Sequence, residues 1–231
     1  MIWCVVPAAG RGARFGVAFP KQYAPLVGVP MLVRTLDRLL SHPRVAGAMV
    51  ALSANDEMWP SITELEGKPV RTCLGGAERA DSVLAALDAL SGHCQAEDWV
   101  MVHDAARPCV RHDDIDALLD QGMQHGDGAI LAAPIRDTVK RGSAGAPLVE
   151  TVDRASLWRA LTPQLFQYAA LRDALRSTLA NPELRVSITD EAAAFEALGR
   201  RPLLVQGADD NIKVTTLHDL ALAEFILTSP A

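Results

Sequence analysis

The sequence has no CxxC pair and no histidine at zinc-ligand spacing from its cysteines, because Cys4, Cys73, Cys94 and Cys109 are scattered. That excludes a disulfide framework and a cysteine-based metal cage, and buried free thiols are the expectation. A surplus of positive charge is also missing. With 22 Lys and Arg against 28 Asp and Glu, the formal net charge is −6, so a nucleic-acid binder relying on a broad basic surface is not expected. Any anionic ligand must instead meet a local cationic pocket. No apolar run approaches the roughly 20 residues that span a bilayer. The N-terminus enters Ile2-Trp3-Cys4-Val5-Val6 without a basic leader, so no membrane partner is expected and a cytoplasmic protein is.

Two common phosphate loops are absent as well. The dinucleotide fingerprint GxGxxG would need glycine where Phe15 stands, and no Gly-Lys-Ser or Gly-Lys-Thr of a Walker loop occurs. An ordinary dehydrogenase or P-loop kinase is therefore not expected. Neither an internal repeat nor a low-complexity linker divides the 231 residues. One domain over residues 1–231 follows from a composition of 49% hydrophobic and 22% charged residues, which is that of an ordinary globular protein with one substantial core.

What is there is an alternation. Ile2–Pro7, Val45–Leu52, Val70–Leu74, Trp99–His103 and Ala129–Pro134 are short, nearly continuous apolar runs, as expected for strands covered on both faces. Between them Met31–Leu40, Ala80–Leu90 and Ile115–Gln124 space their apolar residues at helical intervals. The pattern predicts an α/β fold, a Rossmann-like three-layer sandwich with a mainly parallel sheet. In such folds ligands bind beyond the carboxyl ends of the strands. The alternation lapses at about 135–155, where Arg136–Lys140 and Leu148–Val152 flank a turn-rich stretch from Gly142 to Pro147. This predicts a protruding β-hairpin arm. An isolated hairpin is marginally stable, so the arm needs a packing partner, and a second subunit is the simplest one. Helices at Ala169–Leu179, Asp190–Leu198 and about 216–227, with a strand at Pro202–Gln206, complete the chain.

The first strand empties into Pro7-Ala8-Ala9-Gly10-Arg11-Gly12-Ala13-Arg14, followed by Phe19-Pro20-Lys21-Gln22-Tyr23. Small residues let backbone N–H groups approach a nucleotide closely, and Arg14 and Lys21 in one loop can hold a triphosphate. A strand-to-helix turn that merely needs glycine would look similar. His103-Asp104-Ala105-Ala106-Arg107-Pro108 ends a very apolar strand. An aspartate there can hold a hydroxyl or Mg2+ and Arg107 can orient it or meet a phosphate, although a buried pair tying loops together is the competing reading.

The segment Pro7 to Arg14, with Pro20-Lys21-Gln22-Tyr23, resembles the signature of nucleotidyltransferases acting on sugar phosphates. More closely, it resembles that of the 2-C-methyl-D-erythritol 4-phosphate cytidylyltransferases. Gly75–Val83, Val102–Pro108, Val152-Asp153-Arg154, Leu161–Gln164, Ile188–Ala192 and Asp210–Val214 look like that family's further motifs, in its order. The resemblance implies transfer of CMP from CTP to 2-C-methyl-D-erythritol 4-phosphate with release of pyrophosphate. It implies nucleotide binding by Pro7, Ala8, Ala9, Gly10, Gly12, Gly76, Ala77, Ser82, Asp104 and Ala105. Arg14, Lys21 and Lys213 would be the catalytic cations. Asp104, Arg107, Thr138, Arg154, Thr162 and Thr189 would contact the polyol phosphate, and a homodimer through the arm would bring Thr138 and Arg154 to the partner's site. The family often carries Asp where this chain has Ala77; a main-chain contact survives that change and a carboxylate contact does not.

The expected mechanism is an in-line attack of the acceptor phosphate on the CTP α-phosphorus. Mg2+ would be held mainly by the CTP phosphates, with Asp104 as the candidate protein ligand, and no covalent intermediate would form. His103 is expected to bond locally rather than act as a base, because phosphate is already an anionic nucleophile. Two rivals share much of this pattern: a cytidylyltransferase for ribitol 5-phosphate or another polyol phosphate, and a noncatalytic nucleotide-binding homologue. Retention of Arg14, Lys21, Asp104 and Lys213 speaks against the second. A following cyclase domain, as in fused members of the family, is not expected because the chain ends soon after its last predicted helix.

Overall fold

Alternate residues of β1 (Ile2–Pro7) serve two different cores. Ile2, Cys4 and Val6 pack into one, with Trp3 and Val5 in the other, as the period of two of a strand buried on both faces requires. The computed structural model describes residues 1–10, 15 and 19–229. After β1 come the small hairpin β2 (Pro25–Leu26) and β3 (Val29–Pro30), then α1 (Met31–Leu40), β4 (Gly47–Leu52), β5 (Glu64–Leu65), β6 (Lys68–Leu74) and α2 (Arg79–Ala89). The chain continues through β7 (Trp99–Val102), α3 (His112–Gly122), β8 (Ala129–Pro134), β9 (Val139–Arg141), β10 (Glu150–Val152) and β11 (Trp158–Gln167). It closes with α4 (Tyr168–Ala180), the short α5 (Pro182–Arg185), α6 (Glu191–Ala197), β12 (Leu203–Gln206) and α7 (Leu217–Thr228).

The main sheet has eight strands in the order β12-β8-β11-β7-β1-β4-β6-β5. Strands β1, β4, β6, β7, β8 and β12 point one way, while β5 and β11 run against them. The sheet is thus mixed but mainly parallel. Leu32, Leu36 and Leu39 of α1 and Ile115, Leu118 and Leu119 of α3 cover one face. Val83 and Leu87 of α2, Leu171 and Leu175 of α4, and Phe195 of α6 cover the other. A third cluster, with Leu26, Met31, Cys109, Val214 and Ala223, seats α7.

Strand β11 is the element that apolar patterning does not reveal. Its centre reads Thr162-Pro163-Gln164, its pairing with β8 shifts register between Ala160 and Gln164, and its Thr162–Pro163 peptide is cis. Polar residues and proline in a strand interior read as loop, although a bulge accommodates them.

The arm forms where the alternation breaks. Strands β9 and β10 pair antiparallel with each other as a separate two-stranded sheet, Val139 opposite Val152 and Arg141 opposite Glu150. Its Val139 and Val152 are half-buried, whereas Leu148 and Val149, in the connection just before β10, are 60% and 68% exposed. The cysteines are unpaired; Cys4, Cys94 and Cys109 are buried and Cys73 is only half-buried. Burial pushes the Cys4 and Cys109 thiols up to about 12, which keeps them inert.

Candidate active site

The sheet order reverses at β1. From β1 the chain passes to β4 and β6 on one side, then returns to lay β7 on the other. The loops leaving β1 and β7 therefore diverge at a topological switch point, where open α/β sheets hold ligands. Between them lies a cavity of about 230 Å³, lined on one side by Pro7, Ala8, Ala9, Gly10, Gly76 and Ala77 and on the other by Lys21, Arg79, Asp104, Ala105 and Lys213.

The small residues are small because loops approach closely there. Ala8 N–H donates to Ala51 O (2.8 Å) and Gly75 N–H to Leu52 O (2.7 Å). Gln22 Nε2 donates to Ala8 O at 2.7 Å. A methyl group on Gly75 would lie 2.6 Å from Ala9 Cβ and 2.9 Å from Ser82 Oγ, closer than packed atoms stand. Ser82 Oγ accepts from Gly76 N–H and donates to Glu78 O, both at 3.1 Å. The Ser82 hydroxyl holds the wall's shape, and among the described residues it is bonded to backbone groups and to no base.

Across the cavity, Asp104 collects cations. Its Oδ1 accepts from Arg79 Nε at 3.0 Å, its Oδ2 lies 2.9 Å from Lys213 Nζ, and Arg107 Nε stands 3.5 Å from Oδ2. Burial works to raise the Asp104 carboxyl, but Arg79, Lys213 and Arg107 together hold it well below the usual carboxylate range. Asp104 is therefore an anion at neutral pH. Arg79 also grips Glu191 with both terminal nitrogens, at 2.7 and 3.1 Å. Burial raises the Glu191 carboxyl, and Arg79 opposes that shift.

Behind Asp104 is a buried polar network. Its backbone N–H donates to Thr162 Oγ1 at 3.1 Å, and that hydroxyl is 3.0 Å from His103 Nδ1. His103 Nε2 donates to Arg107 O at 2.9 Å. With one ring nitrogen donating and the other accepting, the imidazole is neutral, and burial lowers its pKa to about 4. His103 bonds locally, as expected. Arg107 Nη1 donates to Asn211 O at 2.7 Å, and Asn211 Nδ2 to Thr162 O at 2.8 Å. The segment carrying Lys213 is thereby tied to the end of β7, and Val214 N–H bonds Ala106 O at 2.8 Å. Lys21 Nζ donates to Val214 O at 2.9 Å, so Lys21 and Lys213 lie on adjoining segments.

The structure brings together Pro7, Ala8, Ala9, Gly10, Lys21, Gly76, Ala77, Ser82, Asp104, Ala105 and Lys213 at this cavity. Arg14 and Gly12 lie outside the described residues. Arg107 and Thr162, anticipated as substrate contacts, are buried behind Asp104 and orient it from within. Thr138, Arg154 and Thr189 are exposed and line no part of the cavity. Sequence reasoning missed Arg79 and Glu191 as site residues, although both stand inside the motif segments at Gly75–Val83 and Ile188–Ala192. The one local signal was their place at the first turn of a helix next to a candidate contact. Among the described residues no group of three His, Cys, Asp or Glu side chains is arranged to hold a metal. One ionised carboxylate, Asp104, with Glu78 also on the wall, does suit a hard cation that arrives on phosphates.

Comparison with known proteins finds matches over nearly the whole chain. Residues 2–229 match the model of the family IspD, 2-C-methyl-D-erythritol 4-phosphate cytidylyltransferase. The chain is similar to the protein of that name from Stenotrophomonas maltophilia (strain R551-3), 53% identical over 230 residues, covering 100% of this chain and 98% of that protein. The counterpart from Xanthomonas euvesicatoria pv. vesicatoria is 52% identical over 228 residues, 99% of this chain and 85% of that protein. Among solved structures, the Francisella tularensis 2-C-methyl-D-erythritol 4-phosphate cytidylyltransferase superposes with a TM-score of 0.84 at 35% identity, covering 97% of this chain and 99% of that one.

Proposed function

The chain belongs to the 2-C-methyl-D-erythritol 4-phosphate cytidylyltransferase family, and from that premise we propose how its cavity performs the reaction. The enzyme transfers CMP from CTP to 2-C-methyl-D-erythritol 4-phosphate in isoprenoid precursor synthesis, and releases pyrophosphate. The observation that carries the assignment of roles is the division of the cavity. One wall is of small residues with exposed backbone, and the other is a carboxylate ringed by cations.

Cytosine lies against the wall of Ala8, Ala9, Gly76 and Ala77, where main-chain groups read its amino edge. The triphosphate extends toward Lys21 and Lys213. The acceptor enters on the far side of Asp104. An oxygen of its phosphate attacks the α-phosphorus, the new P–O bond forms as the bond to the bridging oxygen breaks, and the electron pair leaves with pyrophosphate. No proton has to move, which suits a site whose histidine is buried and committed. What the protein supplies is the alignment of two anions and fixed positive charge where the leaving group develops its own. Mg2+ on the triphosphate would neutralise further charge, with Asp104 as its protein contact. Lys213 exchanges Asp104 for phosphate on binding, and Arg79 keeps the carboxylate in place.

We further propose a homodimer through the arm, with Thr138 and Arg154 serving the partner's acceptor site. Support comes from their exposure away from the cavity and from a two-stranded sheet with Leu148 and Val149 exposed beside it, which is marginal alone. Four unpaired cysteines suit a reducing compartment, so we assign the reaction to the cytoplasm. Among the described residues no helix is long and apolar enough to cross a membrane. The test is pyrophosphate release measured with each nucleoside triphosphate against a panel of polyol phosphates. Turnover confined to CTP and 2-C-methyl-D-erythritol 4-phosphate is expected, and preference for ribitol 5-phosphate or another polyol phosphate would overturn the acceptor.

A further inference from the structure

Arg79 lines the cavity, yet its charge is matched before any ligand arrives. Nε bonds Asp104 Oδ1 at 3.0 Å, and the two terminal nitrogens bond Glu191 Oε1 and Oε2 at 2.7 and 3.1 Å. Glu191 is fully buried and cannot itself touch a substrate. The three residues come from three segments. Arg79 opens α2, two residues after Ala77 of the nucleotide wall, and Asp104 follows β7. Glu191 opens α6, two residues after Thr189 of the segment assigned to the acceptor. A planar guanidinium can hold two carboxylates at once in fixed directions, which an ammonium cannot.

We propose that Arg79 and Glu191 are a positioning pair for the transfer: they clamp Asp104 by one oxygen, leave the other to Lys213 and the acceptor, and hold the nucleotide wall in register with the acceptor segment. The inference rests on the functional reading above. It makes a prediction whose sign differs from simple electrostatics. The cluster has three cations, Arg79, Arg107 and Lys213, against two carboxylates, Asp104 and Glu191. Removing the Glu191 charge makes the cavity more positive and can only favour a bound anion. A loss of turnover without loss of CTP affinity therefore reports position, not charge.

The experiment compares wild type, Glu191→Gln and Arg79→Lys in the full-length protein. It measures kcat, KM for 2-C-methyl-D-erythritol 4-phosphate, calorimetric Kd for CTP, and Tm. Glu191→Gln should lower kcat about a hundredfold, the scale of an angstrom-sized misalignment, and raise the acceptor KM, with Kd for CTP unchanged or tighter. Arg79→Lys keeps the charge and loses the fork, so it should lose kcat to a similar degree. Near wild-type kcat in Glu191→Gln, or kcat that falls only in step with CTP affinity or folded fraction, would overturn the positioning role. Should Arg79→Lys fail to fold, the isosteric Glu191→Gln decides alone. A wild type inactive on every polyol phosphate overturns the functional reading and this inference with it; an active wild type with indifferent variants overturns only the inference.

Discussion

In the cavity wall, Ala8, Ser82 and Asp104 are buried, and the segments after β1, β6 and β7 are each held by hydrogen bonds of 2.7–3.1 Å. In the arm, Thr138, Arg154, Leu148 and Val149 are exposed, and β9 and β10 bond only to each other as a sheet. The first region is finished by this chain's own packing. The second is built as though something else completes it. The contrast teaches that the cavity comes preorganised from one chain, and it is the ground for the proposal that assembly completes the acceptor half.

The sharpest way to break the preorganised half is to remove a cation that lines the cavity and is proposed to meet the phosphates. Lys21→Ala and Lys213→Ala should each lower kcat/KM by about 10²–10³, the usual cost of one fixed transition-state donor. Tm should fall only modestly in Lys213→Ala, because Asp104, although buried, keeps its bond to Arg79. Normal turnover in either folded variant would remove that lysine from the site.

A smaller and more selective effect belongs to the arm. Arg154→Ala should raise KM for the acceptor by about tenfold to a hundredfold, the value of a charge-assisted bond, with Kd for CTP intact. Equal weakening of both substrates would erase the distinction between the halves.

Stability separates them too. Leu118, on the buried face of α3, should cost about 2–5 kcal/mol as Leu118→Ala in denaturant unfolding. Leu148→Ala in the exposed arm should stay within about 0.5 kcal/mol for the subunit, and should instead raise the dimer dissociation constant measured by sedimentation.

A last contrast is a pH slope. His103 is held at about 4, below its ordinary 6.5, so as pH falls through that range the unfolded chain takes up a proton that the folded chain refuses. Stability present above the range is lost on the way down through it. His103→Gln should flatten the slope of unfolding free energy between those pH values, and an unchanged slope would show that the imidazole is not its source. Because the ring faces inward, kcat between pH 6 and 8 should carry no titration from it.

Much of this was legible in sequence where a residue's environment is set locally. Met31–Leu40 and Ala129–Pro134 are helix and strand with the limits their patterning predicts, since apolar period alone decides them. The loop after β1 and Asp104 after β7 were legible because parallel sheets work at their strand ends. Strand β11 was not, since Thr162-Pro163-Gln164 hides a bulged strand behind loop chemistry. Nor was the Arg79–Glu191 pair, 112 residues apart, which only the meeting of α2 and α6 creates. Arg107 and Thr162 carried the right motif, but sequence does not say on which side of the backbone a side chain lies, and both orient Asp104 from behind.

The claim that two chains share each site is tested most directly by mixing two impaired proteins, Lys21→Ala and Arg154→Ala, after verified subunit exchange and at an acceptor concentration far below the raised KM of Arg154→Ala, where each alone has little activity. If Lys21 acts within its own chain and Arg154 across the interface, a mixed dimer gathers both lesions in one site and leaves the other whole. Random exchange makes half the dimers mixed, so activity should return to about a quarter of wild type. No recovery after verified exchange, or full activity in a monomer, would contradict the shared site.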